Sequence, residues 1–164
     1  MEVSAMVRVL LLCFPLVLAA ETERETPGEL CKEVVTTLYP KWSAGEPRDR
    51  LRRVEVRNCR VASWGFLQIA AWKDSGTLPS LVVDTRRVTI VKAAMAGDVF
   101  VLETAGASSN VVQVVLYQGG EPKLVLDDAV KAYAQIELGW KKVSVILPGE
   151  GGTARVYEFP TGMN

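Results

Sequence analysis

"VVQVVLYQGGEPKLVLDD", residues 111–128, decides how the rest of the chain is read. An apolar run holds one Gln and ends on Tyr117. A turn with Gly119, Gly120 and Pro122 follows, then a second apolar run that closes on Asp127 and Asp128. Two short β-rich runs around a Gly/Pro turn are the mark of an antiparallel hairpin. The same order of residues stands earlier, in "FLQIAAWKDSGTLPSLVVDT" at 66–85. Leu67, Gln68, Ile69 and Trp72 align with Val112, Gln113, Val114 and Tyr117 at an offset of 45. Pro79, Leu81, Val82 and Asp84 align with Pro122, Leu124, Val125 and Asp127 at 43, and Val99 and Val101 with Val143 and Val145 at 44. A third copy begins in "TARVYEF" (153–159), where Val156 and Phe159 match Val114 and Tyr117 at 42. A period of this size, holding four strands, is that of a propeller blade.

Outward from these copies the pattern stays β. "RRVEVR" (52–57) alternates, with Val54 and Val56 on one face and Arg53, Glu55 and Arg57 on the other. Short β-branched runs recur at 66–72, 81–86, 88–95, 98–105, 111–117, 123–128, 132–138, 141–147 and 154–159, divided by Gly, Pro, Asp and Asn. Even spacing of this kind predicts antiparallel sheets. One helix is predicted ahead of them, over 27–39. Thr26 and Glu29 form a capping box around Pro27, Leu30, Val34 and Leu38 repeat at spacing four, and Pro40 ends the run. The expected fold is all-β, with two four-stranded, propeller-blade-like antiparallel units packed as a sandwich or open barrel and one short N-terminal helix. Two units and a fraction fall short of the four or more that close a ring.

"AGDVFVLETAG" (96–106) and "WKKVSVILPGEGGTARVYEF" (140–159) carry a family likeness. The first resembles the Gly-Asp, apolar strand and small-residue turn of FG-GAP and VCBS repeats in bacterial secreted proteins. The second resembles the passage between successive repeats. The likeness spans roughly residues 60–160 and implies propeller-type units. It implies no calcium site, because the Asp-x-Asp-Gly loop of such repeats is missing. "KDSG" (73–76) and "DDAV" (127–130) lack the alternating oxygen ligands that calcium takes.

The first twenty residues read as a secretory signal peptide. Arg8 precedes an apolar run from Val9 to Leu18, and Ala19 and Ala20 are the small residues at the cut. The run is too short for a membrane span of about 20 residues. Initiation at Met6 would remove Glu2 and sharpen the signal. "LLLC" ending at Cys13 has the look of a lipobox, but the large Leu12 precedes the Cys and the apolar run continues past it. The chain therefore divides into a signal peptide (1–20), an exposed lead-in with helix and loop (21–50), and an all-β repeat domain (51–164). A secreted or periplasmic setting makes Cys31 and Cys59 an expected disulfide.

Composition excludes several chemistries. The chain has no histidine, which removes Ser-His-Asp and Cys-His catalysis and the commonest transition-metal ligand. No P-loop, G-x-G-x-x-G or G-x-S-x-G stands in it, so no cofactor is expected. The 19 basic and 19 acidic residues cancel, which argues against nucleic acid as a partner. Asp84, Glu103, Asp127, Asp128, Glu137 and Glu158 offer carboxylates for glycoside hydrolysis, but their spacing selects no pair. Residues 48–60 hold six arginines against Asp49 and Glu55. They form either a patch for an anionic surface or a charged edge strand. Trp42 and Trp64, in loop-like surroundings, are the candidate ligand contacts, whereas Trp72 and Tyr117, at matched repeat positions, are assigned to the core. The expectation is a secreted, non-catalytic binding or scaffolding module whose partner is a protein or glycan. The alternatives are a carboxylate-based envelope glycosidase and an accessory subunit that completes its sheet with a partner, for instance along 111–117.

Overall fold

The computed structural model of the chain describes residue 31 and residues 33–42, 49–61, 64–83 and 89–163. Among these, the alternating runs form twelve strands. They are β1 (Glu33–Leu38), β2 (Leu51–Val61), β3 (Trp64–Lys73), β4 (Gly76–Thr77), β5 (Leu81–Val83) and β6 (Thr89–Ala96), followed by β7 (Val99–Ala105), β8 (Asn110–Leu116), β9 (Lys123–Val130), β10 (Gln135–Leu138), β11 (Lys142–Pro148) and β12 (Ala154–Pro160). They build three antiparallel sheets, none closed into a barrel. The first runs β1-β2-β3-β4 with β5 also on β3, the second runs β6-β7-β8-β9, and the third runs β10-β11-β12. The expected all-β antiparallel architecture is present, as three sheets rather than two.

The helix expected over 27–39 is not found in its described part, where Glu33–Leu38 form β1. The physical reason lies in "VVTT" (34–37). Four β-branched residues in a row lose side-chain freedom in a helix and suit a pleated strand. β2 supplies the partner, with Thr37 opposite Glu55 and Leu38 opposite Val54. The capping residues 26–29 lie outside the described residues, as do the signal peptide and Asp84.

Each pair of neighbouring sheets shares one core. Val54, Val56, Leu67 and Ile69 of the first sheet meet Phe100, Leu102, Val115 and Tyr117 from the second. The other face of the second sheet, with Val99, Val101, Val112 and Val114, meets Val143, Val145, Leu147 and Phe159 from the third. β6 comes within 8 Å, between Cα atoms, of both β1 and β10, so the first strands of the three sheets lie side by side.

Pairing tests the sequence offsets. At 45 the faces agree: Leu67 and Ile69 look toward the next sheet, as do Val112 and Val114. Leu81 pairs with Ile69 and Leu126 with Val114, so β5 and β9 also match at 45. The 43 alignment fails, because Leu124 pairs with Val115 and takes the opposite face. The 44 alignment fails too. Val99 and Val101 face the third sheet while Val143 and Val145 face the second, so they are opposed across one core. The 42 alignment keeps its faces. Phe159 looks back at the second sheet as Tyr117 looks back at the first, and Val156 points out and away.

The Gly97–Asp98 turn ties the sheets at one end. Gly97 has φ 53°, and a Cβ there would stand 2.2 Å from the Thr161 carbonyl oxygen. Its N–H donates to Trp42 O, Asp98 N–H donates to Thr161 O, and Tyr117 N–H donates to Asp98 O. The Cys31–Cys59 disulfide is present. It fixes the lead into strand β1, rather than a helix, onto β2.

Candidate functional site

The first sheet turns one face away from the second. Strand alternation puts Arg53, Glu55 and Arg57 of β2 there, directly opposite Trp72, Ala70 and Gln68 of β3. The Arg53 guanidinium stands 4.2 Å from the Trp72 ring centroid and that of Arg57 stands 5.3 Å away. Glu55 lies between the arginines. It accepts from Arg57 Nε at 3.0 Å and Nη2 at 2.8 Å, and its other oxygen is 3.4 Å from Arg53 Nε. The arrangement is a flat cation–aromatic platform with two arginines against one glutamate. Guanidinium groups over an indole ring gain a cation–π attraction that holds the cluster together on this face. Val82, opposite Gln68, is 61% exposed beside it, and Val34, opposite Arg57, is exposed as well.

Trp72 is therefore the residue that sequence reasoning misplaced. Its repeat partner Tyr117 is fully buried between sheets, whereas Trp72 is half-buried on the free face. The signal was in the chain: Arg53 and Arg57 share an alternation phase, and the Arg53–Trp72 register makes them one cluster. The arginine-rich 48–60 segment is not an edge strand, since β2 lies between β1 and β3.

The two expected ligand contacts do not come together. Trp42 packs against the core between the second and third sheets and meets Trp140 edge-on, with centroids 5.5 Å apart. Lys41 covers its ring at 4.6 Å. Trp64 opens β3, but its side chain lies outside the described residues. Residues 111–117 were the edge expected to accept a partner strand. β8 instead lies inside its sheet, between β7 and β9.

The carboxylates are held by structural partners. Glu103, fully buried, accepts from the Ala134 N–H at 3.0 Å and the Asn110 amide at 2.9 Å. Lys92 stands 3.9 Å from its second oxygen and donates to Ala134 O. Asp127 accepts from Gln113, Asp128 pairs with Arg155, Glu137 accepts from Gln135, and Glu158 pairs with Lys142. A cleft of about 580 Å³ opens where β9 ends near the β11–β12 turn. Glu150 is the one carboxylate residue among those lining it, and it pairs with Lys131. Among the described residues no group of three His, Cys, Asp or Glu side chains could hold a metal ion. Among them, too, no helix is long and apolar enough to cross a membrane.

One titratable cluster lies between the first and second sheets. Lys73, with its side chain 2% exposed, pairs with Asp49 at 3.0 Å. Burial raises the Asp98 carboxyl above its ordinary value, the Lys73 charge pulls it back, and Asp49 adds to the rise. Burial also pushes the Tyr117 phenol well up.

Compared with protein-family models, curated proteins and solved structures, the chain matches none.

Proposed function

We propose that this chain is a secreted, non-catalytic scaffolding module of propeller-type units, and that it works through the faces of its terminal sheets. The observation that carries this reading is the Arg53–Trp72–Arg57 platform. At the same repeat position Tyr117 and Phe159 are each packed against a preceding sheet. Trp72 has no preceding sheet among the described residues and carries two stacked guanidiniums instead. An aromatic with arginine on an exposed face is the composition of an interface centre rather than of a solvated surface. The signal-like N-terminus and the disulfide support an extracytoplasmic setting.

The test is side-chain footprinting of Trp72, and of Phe66 six residues before it on the same face of β3, in native extracellular or periplasmic extract, set beside the isolated chain at high dilution. Shielding in the extract is expected. Equal labelling in both would overturn the reading. So would release of reducing sugar from envelope glycan that a Glu137→Gln, Glu158→Gln or Asp128→Asn variant abolishes.

A further inference from the structure

We infer that two copies of this chain mate head to tail, the free face of the first sheet on the free face of the third in both directions, to close a ring of six sheets. This rests on the scaffolding reading above and names its partner.

The faces are those of a repeat cut open. Within one chain the first sheet covers the second, and the second covers the third, always through equivalent positions. Ile69 and Val114 look forward and are buried by the following sheet, while Val156, their equivalent in the third sheet, is 57% exposed. Tyr117 and Phe159 look back and are covered, while Trp72, their equivalent in the first sheet, has no sheet over it among the described residues. Among the described residues, no sheet lies ahead of the forward face of the third sheet or behind the backward face of the first. These two faces are the halves of the contact the chain already makes twice inside itself.

Charge agrees with the pairing. The free face of the third sheet carries Glu137 opposite Ser144, and Ser144 opposite Glu158. Lys142 on the same face pairs with Glu158. Two glutamates against one lysine there meet two arginines against one glutamate on the first sheet. The apolar residues also correspond, with Ile146 opposite Val156 on one face and Trp72, Phe66 and Val82 on the other. Like faces would set arginine on arginine, which opposes the alternative of two first sheets meeting each other.

Arithmetic selects the number of copies. The described residues of each chain supply three sheets, so one, two or three chains give three, six or nine. Closed rings of such sheets hold about four to eight. Two chains alone fall in that range, and a two-fold axis closes the assembly without leaving a free face. The area is adequate. Three strands about 4.8 Å apart and six residues long give a face of about 14 by 20 Å. The two contacts bury four such faces, about 1,100 Å² taken as flat and more with side-chain relief. A specific interface takes about 1,200–2,000 Å².

The experiment is light scattering of the oxidised chain from residue 21 across a hundredfold range of concentration, with variants on each face. Wild type is expected at twice the chain mass, with no larger species. Trp72→Glu and Val82→Glu on the first sheet, and Ile146→Glu on the third, are each expected to give monomers with unchanged circular dichroism. Mixing a first-sheet variant with the third-sheet variant restores one good contact of two and recovers part of the dimer. A dimer broken only by the first-sheet variants would mean like-face pairing and overturn the ring. Mass that climbs steadily with concentration would mean an open filament and overturn it as well. A monomer at every concentration overturns it too, while shielding of Trp72 in native extract would still uphold the scaffolding reading.

Discussion

Asp98 occupies a tight place. Its N–H donates to Thr161 O and its carbonyl accepts from Tyr117 N–H, while the neighbouring Gly97 N–H donates to Trp42 O, so the side chain is drawn in with the backbone. One carboxylate oxygen is buried without a partner. Burial raises its pKa from 3.8, and Lys73 only partly offsets this because Asp49 already holds the ammonium. A raised folded pKa means that the native state holds the proton where the unfolded chain has released it. The stability tied to that proton is fully present below pH 3.8 and is lost as pH rises through the folded value. Asp98→Asn removes the charge and keeps the shape. The variant is expected to melt above wild type at pH 7. The gap should close as pH approaches 3.8. Calorimetric scans of both proteins between pH 3 and pH 8 check it, and a gap that widens on acidification would contradict the account. The "GD" at 97–98 stood out in the sequence only as part of the likeness to FG-GAP and VCBS repeats. That the Gly is needed for the approach of Thr161 was not legible, because the contact joins residues more than sixty apart.

At the scale of elements, β1 depends on its tether. It is the edge strand of the first sheet, most of its side chains are exposed, and its pairing with β2 shifts register between Val34 and Thr36. The Cys31–Cys59 bridge closes a loop with a sequence separation of 28. Loop-entropy arithmetic gives about 3.5 kcal/mol for a loop of that size. Reduction is expected to lower stability by about that amount in urea titrations. Amide exchange should show β1 opening first, while β7 and β8 keep their protection. Equal loss of protection in β1 and β8 would show that the bridge holds the whole fold rather than one strand. The same strand marks the limit of local pattern. Leu30, Val34 and Leu38 fit a helical stripe, yet in β1 the bulge between Val34 and Thr36 sets Val34 opposite Arg57 on the free face and Leu38 opposite Val54 on the core face. The β-branched run and the waiting edge of β2 decide the matter, and the second of these is tertiary. From β6 onward local pattern sufficed, because each run there has its hairpin partner next to it in sequence.

For the whole molecule, stacking order governs stability as strand pairing cannot. The repeat was legible as period and type, but period alone does not give face. Offsets of 43, 44 and 45 look equally good on a list of apolar residues, and only the pairing of Leu81 with Ile69 and of Leu126 with Val114 separates them. The platform at Trp72 was missed for the same reason, since a repeat position is core only while something lies on both sides of it. That condition ranks the sheets. Among the described residues the second is covered on both faces, the first and third on one each. Stability in a stacked array is a sum of unit and nearest-neighbour contributions, so a unit with two neighbours opens last. In dilute protein the amides of β7 and β8 are expected to exchange slowest, those of β2, β3 and β11 faster, and those of β12 faster still, because among the described residues it is an edge strand of the third sheet. Ring closure gives the outer sheets their missing neighbours. Protection of β2, β3 and β11 should therefore rise toward that of β7 as concentration passes through dimer formation, with β7 and β8 changing least. Hydrogen-exchange mass spectrometry at two concentrations reads this directly. Exchange at one common rate in dilute protein would show instead that the three sheets unfold as a single unit and that stacking order carries no weight.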